Sequence, residues 1–264
     1  LKINMKPKKS LGQNFLNDKK ILNRIVECGE ICEKDFVLEI GPGTGNLTEL
    51  ILSKKPKKLI VVEKDKELSL KLLKKFKNNI EIINNDILDC FDKLKYKERL
   101  KVFGNLPYNI STKILISFIR ENNFFKKYKK FIFVFQKEVA DRIIALENSR
   151  NYGRLTILTS WKVDKKKIID IPPNSFFPKP KVWSSLITLT PKSKIQTINK
   201  VKNLEHITNI FFNNRRKMIK KPMRLLFKDY ETIANKIKLD LNLRPQNVTQ
   251  DKFIEICKMY ENLN

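Results

Sequence analysis

Short apolar, β-branched runs alternate with amphipathic segments through the first half of the chain, and this most constrains the fold. Residues 36–40, 59–62, 80–83, 100–103 and 131–135 read as strands, and residues 46–53, 68–76, 110–119 and 137–146 as the helices between them. A run that is apolar at every position has both faces covered, and one-sided helices are the elements that cover it. The succession therefore predicts an α/β fold whose parallel sheet is covered by helices on both faces. The rhythm then changes. Residues 155–163, 167–171 and 182–189 read as strands, with turn-rich residues 172–180 before the last, and predict an antiparallel finish to the sheet. Beyond residues 191–194 the pattern is helical, at 200–212, 217–227, 230–239 and 250–260, with Thr249 as a cap. A chain of 264 residues has room for one large domain and a small one, and the boundary is expected near residue 192, giving 1–191 and 192–264.

A Gly-rich turn, Gly41-Pro42-Gly43-Thr44-Gly45, follows the first strand. Asn46 stands where the dinucleotide fingerprint wants a third glycine. A plain tight turn also produces this spacing. Glu39 just ahead of it repels a phosphate and suits a ligand with a cationic group. Glu63 ends the second strand, where a carboxylate can accept both ribose hydroxyls, and Asp86 follows the third, where it can accept from an adenine amine. Acids at three successive strand ends face one crevice, and together they predict a nucleoside site. S-Adenosylmethionine, with a sulfonium, an ammonium and no phosphate, fits that pattern. Near the start, Gln13, Asn14, Phe15 and Leu16 lead into a helix that Asn17 or Asp18 can cap; the two amides beside an aromatic could also line a ligand mouth.

At the end of the fourth strand stand Asn105, Leu106, Pro107 and Tyr108. The tetrapeptide fits a Pro-containing strand-to-helix turn. It equally fits a grip on a flat, hydrogen-bonding group such as a nucleobase.

The formal charge of +27 points to a polyanionic partner, most naturally nucleic acid. Only ten of the 55 basic residues are Arg. An AT-rich genome enriches Lys in any protein, so many Lys runs are solvated surface. Arg215, Arg216, Lys217, Lys220 and Lys221 crowd one helix start and are expected to grip nucleic-acid phosphates. Four cysteines without a CxxC pair and a single histidine, His206, argue against a zinc site, a disulfide framework and a His base; no metal is expected. No apolar run reaches the ~18 residues of a membrane span, and the basic start shows no secretory pattern. The expectation is a monomer in the cytoplasm, or in an organelle matrix or stroma if a leader was removed.

Joined in order, these blocks resemble the KsgA-type rRNA adenine N6,N6-dimethyltransferases over nearly the whole chain. The matching stretches are Leu11-Gly12-Gln13-Asn14-Phe15-Leu16, residues 38–45, residues 105–112, Gln136-Lys137-Glu138-Val139, Tyr152-Gly153-Arg154, residues 176–182, and Arg215-Arg216-Lys217-Met218. The resemblance implies a Rossmann-like class I methyltransferase domain with a small all-helical C-terminal domain. It implies an S-adenosylmethionine-dependent enzyme that dimethylates two adjacent adenines in the 3′-terminal hairpin loop of small-subunit rRNA, within a pre-30S-type particle. Carried over by position, Asn14 and Leu16 close one side of the donor pocket, and Gly41 passes beneath the methionine moiety with Gly43 and Gly45 in the same turn. Glu63 holds the ribose, Asp86 the adenine amine, and Asn105 sits beside the methyl. Tyr108 and Phe176 sandwich the target base, and the phosphates gripped by the basic cluster from Arg215 to Lys221 are those of RNA. Two aromatics, Phe176 and Phe177, stand where the family commonly has one, which leaves the role of Phe177 open. An Erm-type large-subunit methyltransferase shares most motifs but usually has Ile in place of Leu106. A ribosome-assembly or transcription factor with little catalysis would not need intact Asn105 to Tyr108.

Overall fold

The computed structural model describes residues 7–8, 12–94 and 96–263. Ser10 and Leu11 and most of the basic start lie outside the described residues. In chain order the first elements are β1 (Phe15–Leu16), α1 (Lys19–Gly29), β2 (Phe36–Ile40), α2 (Asn46–Ser53), β3 (Lys58–Val62), α3 (Lys66–Phe76) and β4 (Glu81–Ile83). Next come β5 (Leu100–Asn105), α4 (Ser111–Arg120), α5 (Phe124–Lys127), β6 (Tyr128–Gln136) and α6 (Lys137–Ile144). Then follow α7 (Arg154–Lys162), β7 (Val163–Ile171), β8 (Phe176–Phe177) and β9 (Ser184–Pro191). The chain ends with α8 (Val201–Phe212), α9 (Lys220–Leu226), α10 (Tyr230–Lys236) and α11 (Gln250–Leu263).

Seven strands form one sheet in the order β4-β3-β2-β5-β6-β9-β7. The first five are mutually parallel, and β9 runs antiparallel to β6. The expected α/β sheet with an antiparallel finish is therefore present. β2 is buried at all five positions, so both its faces are covered. An ion pair is buried at the edge of this core. Lys101 of β5 donates to Asp35 at 2.6 Å and to the Glu30 carbonyl, and Lys129 holds the other Asp35 oxygen at 3.0 Å. Burial by itself raises the Asp35 pKa, but the bonds from Lys101, the Cys32 N–H and Lys129 outweigh it and hold the carboxyl well below its ordinary value.

The chain divides into two compact units, residues 1–140 with 165–191, and residues 141–164 with 192–264. The chain thus crosses between units three times, whereas the pattern of elements suggested only the crossing near residue 192. The difference comes from residues 155–163, expected as a strand. They form α7, in which every residue from Thr156 to Lys162 is buried. A helix buried on all sides shows no 3.6-residue period, and its Thr and Ile content imitates a strand. Its start is held by Thr156, whose Oγ1 accepts from the Gly153 N–H at 3.1 Å and donates to the Arg142 carbonyl at 2.6 Å. Within this second unit α7, α8 and α11 share a core that includes Phe211 and Phe253, ring centroids 5.2 Å apart. The Tyr152 hydroxyl donates to the Val248 carbonyl at 2.9 Å, joining the two stretches that make up the unit.

Candidate active site

β2 is flanked by β3 on one side and β5 on the other, so strand order reverses beside it. A crevice opens at the carboxyl ends of such strands. Here the cleft is lined by Asn14, Leu16, Glu39, Gly41, Gly43, Glu63, Asp86 and the tetrapeptide Asn105 to Tyr108, among others. Gly41 has φ +64°, and a Cβ built on it meets nothing within 4 Å. That empty side of the turn faces the cleft and is room for a ligand. Gly43, at φ +57°, leaves space for the Phe15 ring, which an added Cβ would meet at 2.8 Å. Gly45, expected to bind cofactor, does not line the cleft. Its bare Cα faces Phe76 and Leu72 of α3, where a Cβ would approach to 2.7 Å and 2.9 Å. It is a packing glycine.

The three acids line the cleft at successive strand ends, and their surroundings shift them in different directions. Glu39 is buried, accepts from Thr48 Oγ1 at 2.7 Å, and has its pKa pushed up to about 8 by burial, with repulsion from Glu63 adding to the effect. Glu63 is also raised by burial, which outweighs the backbone N–H groups of Asp65 and Gly43 on its two oxygens at 2.9 Å and 3.2 Å. For Asp86 burial is outweighed by the Leu88 N–H and by Lys64, whose Nζ lies 2.9 Å from Oδ2, so this carboxyl is held below its ordinary value.

A strap formed by residues 12–16 closes one side of the cleft. Its floor is Asp65, which caps α3 and also receives Lys8 Nζ at 2.9 Å and Gln13 Nε2 at 3.3 Å. Asn46 fastens the other end, donating to the Leu16 carbonyl at 3.1 Å and to Asn17 Oδ1 at 3.0 Å. Asp18, of the two candidate caps, is the one that caps α1. The strap meets the tetrapeptide directly, because Asn105 Nδ2 donates to the Asn14 carbonyl at 2.7 Å. A carbonyl can only accept, so this bond fixes the amide orientation and leaves Oδ1 as the acceptor pole. Leu106 turns its side chain into the core, and the Pro107 carbonyl accepts from the Ile110 N–H to close the turn. Tyr108 is half-buried, with its hydroxyl 2.6 Å from Ser184 Oγ of β9.

Phe176 requires a correction. Expected as a stacking face, it is 4% exposed, pairs with Leu16 between β8 and β1, and belongs to the core. Its neighbour Phe177 is 58% exposed. Strand alternation explains this: successive side chains point to opposite faces, and the doubled aromatic put one ring on each. In the helical unit Arg216, Lys217, Lys220 and Lys221 are exposed. Arg215 instead acts as a strut, donating to Gln246 Oε1 at 3.2 Å and to the Ser149 carbonyl at 3.1 Å. Lys220 lies 3.6 Å from Glu231. The sequence offered a cue to one overlooked residue, Asn46 in place of a glycine. Asp65 and Ser184 carried no comparable signal, since a helix cap and a strand serine are common.

A parallel sheet with a glycine turn, strand-end acids and an Asn-Leu-Pro-Tyr turn at its switch point defines a Rossmann-like class I methyltransferase. The family described as ribosomal RNA adenine dimethylase matches residues 4–262, and the chain belongs to it. It is 53% identical to the ribosomal RNA small subunit methyltransferase A of Pelagibacter ubique (strain HTCC1062), over 98% of each chain. Among solved structures it resembles a dimethyladenosine transferase from Plasmodium falciparum, with TM-score 0.79 and 25% identity over 94% of this chain and 98% of that one. The 23S rRNA methyltransferase ErmE, at TM-score 0.70 and 22% identity over 94% and 99%, shares the fold. Among the described residues no group of three or more His, Cys, Asp or Glu is placed to hold a metal ion, and no helix is long and apolar enough to cross a membrane.

Proposed function

We propose that the chain transfers methyl groups from S-adenosylmethionine to the exocyclic N6 of two adjacent adenines in the 3′-terminal hairpin loop of small-subunit rRNA, giving N6,N6-dimethyladenosines. The observation that carries the reading is the Asn105–Asn14 bond, which presents Asn105 Oδ1 as an acceptor at the cleft. The small-subunit target follows the Pelagibacter relative, whose identity is far above that of the large-subunit enzyme. A pre-30S-type particle as substrate, a monomeric enzyme and a cytoplasmic setting belong to the reading through the family resemblance.

The residues present fit the donor. Gly41 leaves open space beneath a ligand, Glu63 keeps acceptor capacity for ribose hydroxyls, Asp86 lies at the end of β4 for the adenine amine, and Asn14 and Leu16 form the strap side. S-Adenosylmethionine supplies an electrophilic methyl group when bound. The chain's own work is on the acceptor. The adenine amine is a weak nucleophile because its lone pair is spread into the ring. Hydrogen bonds from that amine to Asn105 Oδ1 and the Leu106 carbonyl draw the lone pair out of conjugation. Asn105 is no base, so the proton leaves to water. Pro107 stiffens the turn, and Tyr108 supplies one stacking face, worth roughly 1–3 kcal/mol per base. Positioning of this kind can contribute on the order of 7–11 kcal/mol. Donor binding and chemistry belong to the unit of residues 1–140 with 165–191, and RNA contact, through Arg216, Lys217 and Lys221, to the helical unit, which completes the proposal.

Incubating the chain with labelled donor and small-subunit particles lacking the modification, then mapping the labelled nucleotides, tests it. Two adjacent N6,N6-dimethyladenosines in the 3′-terminal loop are expected. Label confined to large-subunit rRNA, or none, would overturn the reading.

A further inference from the structure

We infer that Phe177 and Trp183 form a stacking platform for unpaired nucleotides flanking the target adenine, an inference that rests on the methyltransferase reading above. The connection from β8 to β9 exposes Phe177 by 58%, Val182 by 43% and Trp183 by 50%. Large apolar side chains exposed together mark a contact surface. Both ends of the segment are fixed beside the cleft. Phe177 pairs across to Phe15, whose ring lies against Gly43 of the glycine turn. Trp183 gives its carbonyl to the Lys137 N–H at 2.9 Å, and the next residue, Ser184, holds the Tyr108 hydroxyl. One end therefore abuts the donor side of the cleft and the other the base-gripping tyrosine.

The chemistry of the segment selects its occupant. Lys179 and Lys181 are exposed between the aromatics, and residues 174–184 contain no acid, so the surface pairs flat apolar faces with positive charge. That is the composition that takes single-stranded nucleic acid, with bases on rings and phosphates on cations. Pro178 and Pro180 restrict the backbone between the rings, which lowers the entropy lost when they are covered. Splayed loop bases present such faces and a paired helix does not.

The chain holds two tryptophans, and Trp161 is 5% exposed, so a Trp161→Phe chain reports Trp183 alone. Its emission is expected to be quenched by an RNA hairpin with an unpaired adenine-rich loop and not by a duplex of the same composition. Trp183→Ala and Phe177→Ala are each expected to raise the KM for RNA by roughly 5- to 160-fold, as loss of one stacked base would. The KM for donor and the circular dichroism spectrum should stay the same, and Trp183→Phe should restore most of the affinity. Unchanged RNA KM in both alanine variants, or a raised KM without quenching of Trp183, overturns the platform. If instead Trp183→Ala only dissociates a dimer in sedimentation, the face belongs to a second copy and the inference fails. Absence of any methyl transfer by the unmodified chain would sink the methyltransferase reading, whereas the quenching titration still judges the platform.

Discussion

Asn105 works through two atoms at once. Its Nδ2 anchors the strap, and in the proposed reaction its Oδ1 accepts from the adenine amine. Asn105→Ala is therefore expected to lower kcat by roughly 100-fold or more, in line with the loss of one preorganised polar group, while RNA affinity changes little. Equal loss of turnover and RNA binding would count against the assignment. Glu39 makes a second prediction, in pH. Its folded pKa, about 8, stands above its ordinary 4.5, so the folded state holds this proton more tightly than the unfolded one. The stability it contributes is complete below about pH 4.5 and is lost as pH rises through about 8. Thermal unfolding of the ligand-free chain across that range should show this decline, and Glu39→Gln, which carries no proton to lose, should flatten it.

At the scale of elements, the strap depends on its neighbours more than on itself. Two residues of strand cannot stand alone: β8 pairs with β1, Asn46 holds the Leu16 carbonyl, and Asp65 anchors Gln13 just before it. Asp65→Ala removes a helix cap, worth roughly 0.5–2 kcal/mol, together with the anchor for Lys8 and Gln13. Lower stability in urea and faster amide exchange at residues 12–16 are the expected pair of results; a stability loss with unaltered exchange would separate cap from strap. Gly45→Ala should destabilise the chain more than Gly41→Ala. Both positions have positive φ, costing about 1–2 kcal/mol for any Cβ, but only at Gly45 does the methyl run into Phe76 and Leu72. Gly41→Ala should instead lower donor affinity, read by calorimetry. The α2, α3 and α4 helices were legible because each shows one apolar face. α7 was not, because burial on every side erased its period.

Over the whole molecule the charge of +27 is the dominant long-range property, and it sets how binding responds to salt. For each phosphate that the protein no longer neutralises, the slope of log K against log salt becomes shallower by about 0.7–0.9. Reversing Arg216 and Lys217 to Glu is expected to shallow the slope by at least that amount, measured by RNA binding between low and moderate salt. Arg215 belongs outside such a test. Its guanidinium also holds Gln246 and Ser149, so its loss would mix folding of the helical unit with any phosphate contact.

The parallel strands β2 to β6 with their covering helices, the glycine turn and the strand-end acids could be read from residue types, because each is a local consequence of periodicity and spacing; α7 could not. So could the tetrapeptide, since a proline after a polar amide at a strand end is visible in one dimension. Which ring of the Phe176-Phe177 pair faces outward, which glycine opens on the cleft and which packs against α3, and the orientation of the Asn105 amide were decided by tertiary structure alone. Each of these turns on a neighbour distant in sequence: Leu16 for Phe176, Phe76 for Gly45, Asn14 for Asn105. Spacing along the chain carries no record of such partners, and burial and hydrogen bonding choose them only once the sheet is assembled.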